Sequence, residues 1–169
     1  MPPDTLPDLA ARFRGRRLLV TGAAGCIGAN LVRSLLEAGC AVDAVLRPGS
    51  RAWRLAGLAG ALTRHEADVG DDEQIERVFA AVRPEVVFHL AVPRGHDERA
   101  QAEMLRVNVL GAHALIRCVQ RYGMPRLVVA GSSLEYAPSP TALCEQSPVE
   151  PLTWHGATKA AACVLYRQA

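Results

Sequence analysis

The chain has 169 residues, half of them hydrophobic, and its 19 basic and 17 acidic side chains leave a formal net charge of +2. This composition supports one α/β domain with a buried core, excludes general disorder and gives no electrostatic reason to expect a nucleic-acid partner. No apolar stretch reaches the ~20 residues that cross a membrane. We therefore expect no membrane partner. The five cysteines lack the paired short spacing of a zinc site, so we also expect no metal, and a cytoplasmic protein with reduced thiols.

The first half of the chain alternates short β-branched runs with longer helical patterns. Strands are predicted at 17–21, 41–46 and 62–67, and helices at 26–38 and, as a short segment, at 51–59. Gly39 is a typical helix end, and Arg47-Pro48-Gly49 is typical of a turn after the second strand. Residues 1–15 come before these elements and are interpreted as an N-terminal lead-in.

The second half continues the alternation. A helix capped by Asp71 or Asp72 ends before Pro84, strands at 86–90 and 127–130 flank a long helix at 97–122, and a last helix begins near Thr153. No stop signal follows that helix, so we expect the chain to be cut short within it. Five strands in alternation with helices predict an α/β fold, a Rossmann-type doubly wound parallel sheet, over residues 16–169.

A glycine-rich turn joins the first strand to the first helix. Gly22 permits a tight turn, Gly25 lets the backbone approach a pyrophosphate, and Gly28 lets the helix and strand pack closely. The positive end of the helix and its unpaired N–H groups would then meet the ligand's negative charge. The turn therefore predicts a dinucleotide site, with contacts from Gly22, Ala24, Gly25, Cys26, Ile27 and Gly28.

The glycine spacing is one of six motifs that resemble the extended short-chain dehydrogenase/reductase family, in its NAD(P)-dependent epimerase/dehydratase group. In chain order they are Thr21-Gly22-x-x-Gly25-x-x-Gly28, Asp68-Val69, His89-Leu90-Ala91, Asn108-Val109-x-Gly111, Ser132-Ser133-x-x-Tyr136 and Gly156-x-Thr158-Lys159. The resemblance runs from residue 17 to the end of the chain. It implies an NAD(P)-dependent enzyme that acts on a nucleotide sugar.

The resemblance also implies roles for the residues after the third and fourth strands. Asp68 and Val69 would contact the adenine, and Leu90 and Ala91 would line the cofactor. Asn108 would brace the helix beside the active site.

The resemblance extends to the catalytic positions, with one departure. Ser132 would hydrogen-bond the reacting oxygen, and Lys159, the only Lys in the chain, would hold the nicotinamide ribose and lower a neighbouring acid's pKa. The family's Tyr-x-x-x-Lys motif has His155 in place of Tyr, four residues before Lys159 and therefore on the same helix face.

This departure leaves several hypotheses open. In the first hypothesis His155 replaces the Tyr as acid/base, since an imidazole of pKa ~6.5 accepts a proton at pH 7 without help. In the second hypothesis the protein is a dinucleotide-binding pseudoenzyme, or a sensor or scaffold module, because loss of a proton-transfer group lowers the reaction rate by about 10²–10⁴-fold. A sequence error at this position is a further explanation.

The end of the second strand bears on the choice of cofactor. In dinucleotide folds an acidic residue there holds the ribose 2′-hydroxyl, and a nearby Arg accommodates a 2′-phosphate. Here Asp43 lies too early, the position holds Leu46, and Arg47 follows, with Arg51 also near. The sequence therefore favours NADP over NAD.

The segment after the fifth strand bears on the reaction. Sugar dehydratases of the family carry an acid two positions before Tyr136, where this chain has Leu134, and Glu135 is one step off and is expected to face elsewhere. A 4-ketoreductase or epimerase reaction is therefore favoured over dehydration. Sugar recognition in the family lies mostly in a C-terminal part that we expect to be absent, and a homodimer through the helices is a further expectation for the intact protein.

Overall fold

A computed structural model describes residues 12–58, 60–123 and 125–168, so most of the predicted lead-in lies outside the described residues. The strands are β1 (Leu18–Thr21), β2 (Val42–Leu46), β3 (Thr63–Glu66), β4 (Val86–His89) and β5 (Arg126–Val129). The helices are α1 (Cys26–Glu37), α2 (Asp72–Val82), α3 (Glu98–Met104), α4 (Gly111–Arg121) and α5 (Trp154–Tyr166). One-turn 3₁₀ segments lie at Trp53–Leu55 and Ser133–Glu135.

All five strands form one parallel sheet in the order β3-β2-β1-β4-β5. Successive side chains of a strand point to opposite faces, and both faces of this sheet are covered. Leu18 and Val20 of β1 join a core that includes α1, whereas Leu19 joins a second core with α2 and α4. Helices on both faces confirm the predicted doubly wound fold.

The strand order fixes where a ligand can bind. The chain moves outward from β1 to β2 and β3, then crosses back to place β4 on the other side of β1. At such a reversal the loops leaving the carboxyl ends of neighbouring strands turn in opposite directions and leave a crevice. Here the crevice lies above Thr21 and His89, which are paired in register.

The predicted long helix is divided into three parts. Between α3 and α4, Leu105–Leu110 forms a π-helical segment, a wider turn that frequently marks functional sites. Its side chain Asn108 is buried and donates to Oγ1 of Thr158 on α5 at 3.0 Å. The segment therefore lies where the helix meets α5.

Two further observations concern surfaces. Strand β5 lies at an edge of the sheet, and Val128 is 40% exposed there. Cys26 is exposed at the start of α1, whereas Cys118 is buried in α4. In the described ranges no helix combines the length and apolar character that a membrane span requires.

Candidate functional site

A cavity of about 460 Å³ opens at the carboxyl edge of the sheet, at the reversal between β1 and β4. The cavity is lined by every residue that the sequence predicts to bind the cofactor, except Asn108 and Lys159. The lining includes Gly22, Ala24, Gly25, Cys26, Ile27, Gly28, Arg47, Asp68, Val69, Leu90 and Ala91. Asn108 and Lys159 are not part of this lining; they belong to a second cluster, described below, beside the ends of β4 and β5.

The glycine turn is packed backbone against backbone. Gly22 has φ +67°, a conformation that side chains disfavour, and a Cβ there would lie 2.5 Å from the amide nitrogen of Ala91. Gly25 donates its N–H to the Gly22 carbonyl at 2.9 Å, and Gly28 packs beneath the same carbonyl. A residue with a side chain at position 22 would push apart the two loops that border the cavity.

The start of α1 offers N–H donors to the cavity. Gly25 precedes the helix, no side chain caps its first turn, and no acidic residue occupies that turn. Unpaired N–H groups and the positive end of a helix make an anion site. Cys26 and Ile27 are exposed and line the cavity, so the start of α1 borders it directly.

An ion-pair network crosses the other end of the cavity. Arg47 after β2 lies 3.7 Å from Glu103 on α3, Glu103 lies 2.7 Å from Arg106, and Arg106 lies 2.7 Å from Asp68 after β3. Burial raises the pKa of Asp68, but hydrogen bonds from Arg106 and the Gly70 N–H outweigh it and leave that pKa below its ordinary value. The carboxylate of Asp68 is therefore ionised and already engaged.

The second cluster lies between β5, the 133–135 turn and the first turns of α5. Lys159 is only 9% exposed and donates from Nζ to the carbonyl oxygen of Ala130. Ala130 itself donates its N–H to the carbonyl of His89 at the end of β4. Lys159 is therefore fixed at the carboxyl edge of the sheet, unlike an ordinary exposed helix Lys.

Glu135 belongs to this cluster, so the expectation that it faces elsewhere is wrong. It is 6% exposed, and its Oε1 accepts the Ser132 backbone N–H at 2.7 Å. A Cβ at Gly156 would lie 1.9 Å from the Leu134 carbonyl, so the turn that carries Glu135 packs directly against α5. Its negative charge acts on both His155 and Lys159.

His155 is half-buried on α5 and is neutral at pH 7. Burial lowers its pKa, the Lys159 ammonium lowers it further, and only the Glu135 carboxylate opposes these effects. Ser132 is also half-buried, and its Oγ accepts the Leu134 N–H at 3.2 Å, which leaves the hydroxyl proton available to donate. The cluster thus combines a neutral proton acceptor, a hydroxyl and a buried ammonium.

Three charged residues of the cavity were not assigned by the sequence reasoning. Arg54, Arg94 and Glu103 all line it. Arg94 lies three residues after Ala91, so its place in the sequence could have predicted that it borders the cavity. The position of Glu103 on α3 could not be predicted in this way, because it depends on how that helix packs. The described residues contain no group of three His, Cys, Asp or Glu side chains able to hold a metal ion.

Comparison with known proteins gives a family match. The sequence pattern of the NAD dependent epimerase/dehydratase family matches residues 18–169. UDP-glucose 4-epimerase 4 of Oryza sativa subsp. japonica is 33% identical over 161 residues, which cover 89% of this chain and 44% of that protein. Sterol demethylase protein B of Methylococcus capsulatus is 35% identical over 146 residues, which cover 84% of this chain and 43% of that protein.

A solved structure agrees with these matches. The enzyme WbmG of Bordetella bronchiseptica, in complex with NAD and UDP, superposes with a TM-score of 0.81 at 28% identity. The superposition covers 91% of this chain and 50% of WbmG. The chain therefore spans about half the length of the proteins it matches.

Proposed function

The chain belongs to the NAD dependent epimerase/dehydratase family, and on that premise we propose that it is the dinucleotide-binding part of an oxidoreductase that acts on a nucleotide sugar. The reaction proposed is of the 4-ketoreductase or epimerase type, at a sugar carbon. The observation that carries the proposal is the glycine turn, because its backbone closes on Leu90 and Ala91 and leaves the N–H groups of α1 facing the cavity.

The residues of the cavity fit a nicotinamide dinucleotide. The uncapped start of α1 would hold the pyrophosphate, and Arg94 would add a positive charge to the cavity lining. Val69 and Asp68 would border the adenine, and Leu90 with Ala91 would line the path towards the nicotinamide. When bound, the nicotinamide supplies hydride chemistry; the chain supplies position and protons.

The second cluster supplies the proton chemistry of the proposal. Lys159, fixed by the Ala130 carbonyl, would hold the nicotinamide ribose, and Asn108 would brace α5 through Thr158. Ser132 would donate its hydroxyl hydrogen bond to the reacting oxygen. An imidazole nitrogen of His155 would take the proton of a sugar hydroxyl, because the imidazole is neutral at pH 7.

The choice of cofactor is the finer part of the proposal. Arg47, Ser50 and Arg54 line one end of the cavity, and Arg groups there suit a 2′-phosphate. We therefore keep NADP as the preferred cofactor and NAD as the alternative. The relative WbmG was solved with NAD.

A homodimer through the helices is proposed for the intact protein.

Isothermal titration calorimetry of the chain with NAD, NADH, NADP and NADPH tests the proposal. We expect saturable 1:1 binding of at least one of the four, with protection of the backbone N–H groups at 24–27 from hydrogen exchange. A folded chain that gives no heat with any of them refutes the proposed function. Turnover of 4-keto nucleotide sugars by the full-length protein then tests the reaction.

His155 in place of Tyr favours a second candidate, a protein that binds the dinucleotide as a sensor or scaffold without turnover. The substitution His155→Tyr in the full-length protein separates the two. A large gain in turnover with a nucleotide-sugar substrate indicates that the natural protein has lost the proton-transfer step. A loss of turnover indicates that His155 performs it.

A further inference from the structure

The segment after β2 presents positive charge to the cavity, and one carboxylate from α3 opposes it. Arg47, Ser50 and Arg54 line this end of the cavity. Glu103 lines the same end, with its Oε1 3.7 Å from Nη1 of Arg47. An acidic group thus lies against the cation that a 2′-phosphate would need.

Glu103 is held in this position from behind. Nη2 of Arg106 donates to its Oε1 at 2.7 Å and Nε donates to its Oε2 at 2.9 Å, a two-point contact. Arg106 is in turn fixed by Asp68, through Nη2 to Oδ2 at 2.7 Å. The carboxylate of Glu103 therefore stays at the cavity wall whether or not Arg47 contacts it.

The other nearby carboxylates have different partners. Asp43 lies within β2 and contacts Nε2 of His65 at 2.6 Å. Asp68 accepts from Arg106 on one oxygen and from the Gly70 N–H on the other. Among the described carboxylates that line the cavity, Asp68 and Glu103, only Glu103 contacts Arg47.

We propose that Glu103 is a specificity-determining residue of the dinucleotide site, which restrains Arg47 and disfavours a 2′-phosphate relative to a 2′-hydroxyl. This inference rests on the proposed function. A phosphate at Arg47 meets the Glu103 carboxylate as a like charge, whereas a hydroxyl can donate to it. Glu103 would thus reduce, without reversing, the preference for NADP that Arg47 favours.

The charge state of Glu103 agrees with this role. The hydrogen bonds from Arg106 lower its pKa, burial opposes them, and the net pKa lies below its ordinary value. Glu103 is therefore an anion throughout the neutral range.

The test compares the dissociation constants of NADP and NAD for the natural chain and for Glu103→Gln. Gln keeps the shape and an acceptor oxygen for Arg106 but removes the charge. We expect the ratio of the two constants to shift towards NADP by about tenfold or more. Glu98→Gln, the same change on an exposed position of α3 outside the cavity lining, should leave the ratio unchanged.

Further variants keep the test decisive. In an Arg47→Gln background the shift caused by Glu103→Gln should be smaller, because only the repulsion between the Glu103 carboxylate and the phosphate is left to remove. If Glu103→Gln fails to fold, Glu103→Asp, which withdraws the carboxylate by about 1.5 Å, should give a smaller shift in the same direction. Binding of neither dinucleotide by the natural folded chain overturns the proposed function. Binding of both with an unmoved ratio in a folded Glu103 variant overturns the role of Glu103 alone.

Discussion

Replacing Gly22 with Ala tests the close approach on which the cavity depends. The left-handed φ of +67° costs a side-chain-bearing residue ~1–2 kcal/mol. The new Cβ would also lie 2.5 Å from the Ala91 nitrogen, and ordinary contact begins at 3.4 Å, so the two loops must separate by the difference, about 0.9 Å. Overpacking of this kind costs ~1–3 kcal/mol. We therefore expect Gly22→Ala to lower the free energy of unfolding by ~2–5 kcal/mol.

Gly123→Ala is the matched control, because Gly123 also has a positive φ, +96°, and no described residue would come within 4 Å of its Cβ. It should cost only the conformational ~1–2 kcal/mol. Urea unfolding measures both losses, and calorimetric titration at a temperature where both variants are folded measures dinucleotide affinity. We expect at least a tenfold loss of affinity, worth about 1.4 kcal/mol, for Gly22→Ala only. Equal losses of stability in the two variants, or undiminished affinity in Gly22→Ala, would refute the reasoning.

Three further predictions concern other parts of the site. Burial and the nearby Lys159 lower the pKa of His89 from 6.5 to about 3, so His89 takes up a proton in the unfolded state before it does in the folded state as the pH falls. The free energy of unfolding should therefore drop by about 2 kcal/mol between pH 8 and pH 5. Urea titrations should show that His89→Asn flattens this pH dependence. Cys26 is exposed and lines the cavity, so it should react with N-ethylmaleimide more slowly when a dinucleotide is bound. Cys144 is exposed outside the cavity lining and should react at the same rate with and without the dinucleotide. Mass spectrometry of the labelled peptides measures both rates. Asn108→Ala removes a buried hydrogen bond to Thr158 and should cost ~1–3 kcal/mol of stability; simple additivity with Thr158→Val would show that the two side chains are not coupled.

The parts of this molecule that the sequence predicted are those decided locally. Residues 18–20 of strand β1 form an uninterrupted apolar run because both faces of a central parallel strand are buried. The glycine turn is equally local, since the backbone conformation at Gly22 excludes other residues wherever the turn occurs. Alternation of such elements limits the topology to a few right-handed arrangements, so the fold followed from the pattern.

The parts that the sequence did not predict depend on packing between distant elements. The π-helical segment interrupts a helix whose apolar pattern is continuous, and its buried Asn108 finds its partner on α5. The spacing of Glu135 in the sequence predicts that it faces elsewhere. A 3₁₀ turn, closed against α5 at Gly156, rotates it into the cluster instead. The contact between Arg47 and Glu103 likewise joins two segments that are distant in the sequence, the residue after β2 and helix α3.

The electrostatics of the second cluster make His155 unequal in the two directions of a redox reaction. A phenol, with a pKa near 10, needs a neighbouring cation to release its proton near neutral pH. An imidazole starts near 6.5, so the same Lys159 charge, added to burial, makes His155 a better-populated acceptor and a scarcer donor. Glu135 opposes this effect, and it is buried on the turn that carries Ser132. Under the proposed function, removal of a proton from a sugar hydroxyl is therefore the step that a neutral His155 favours. In an epimerase of the proposed kind, the proton that His155 takes in the oxidative step would be the proton it returns in the reductive step. A ketoreductase has no preceding oxidative step, so its ketone would instead draw on the imidazolium form, which burial and Lys159 disfavour and Glu135 favours.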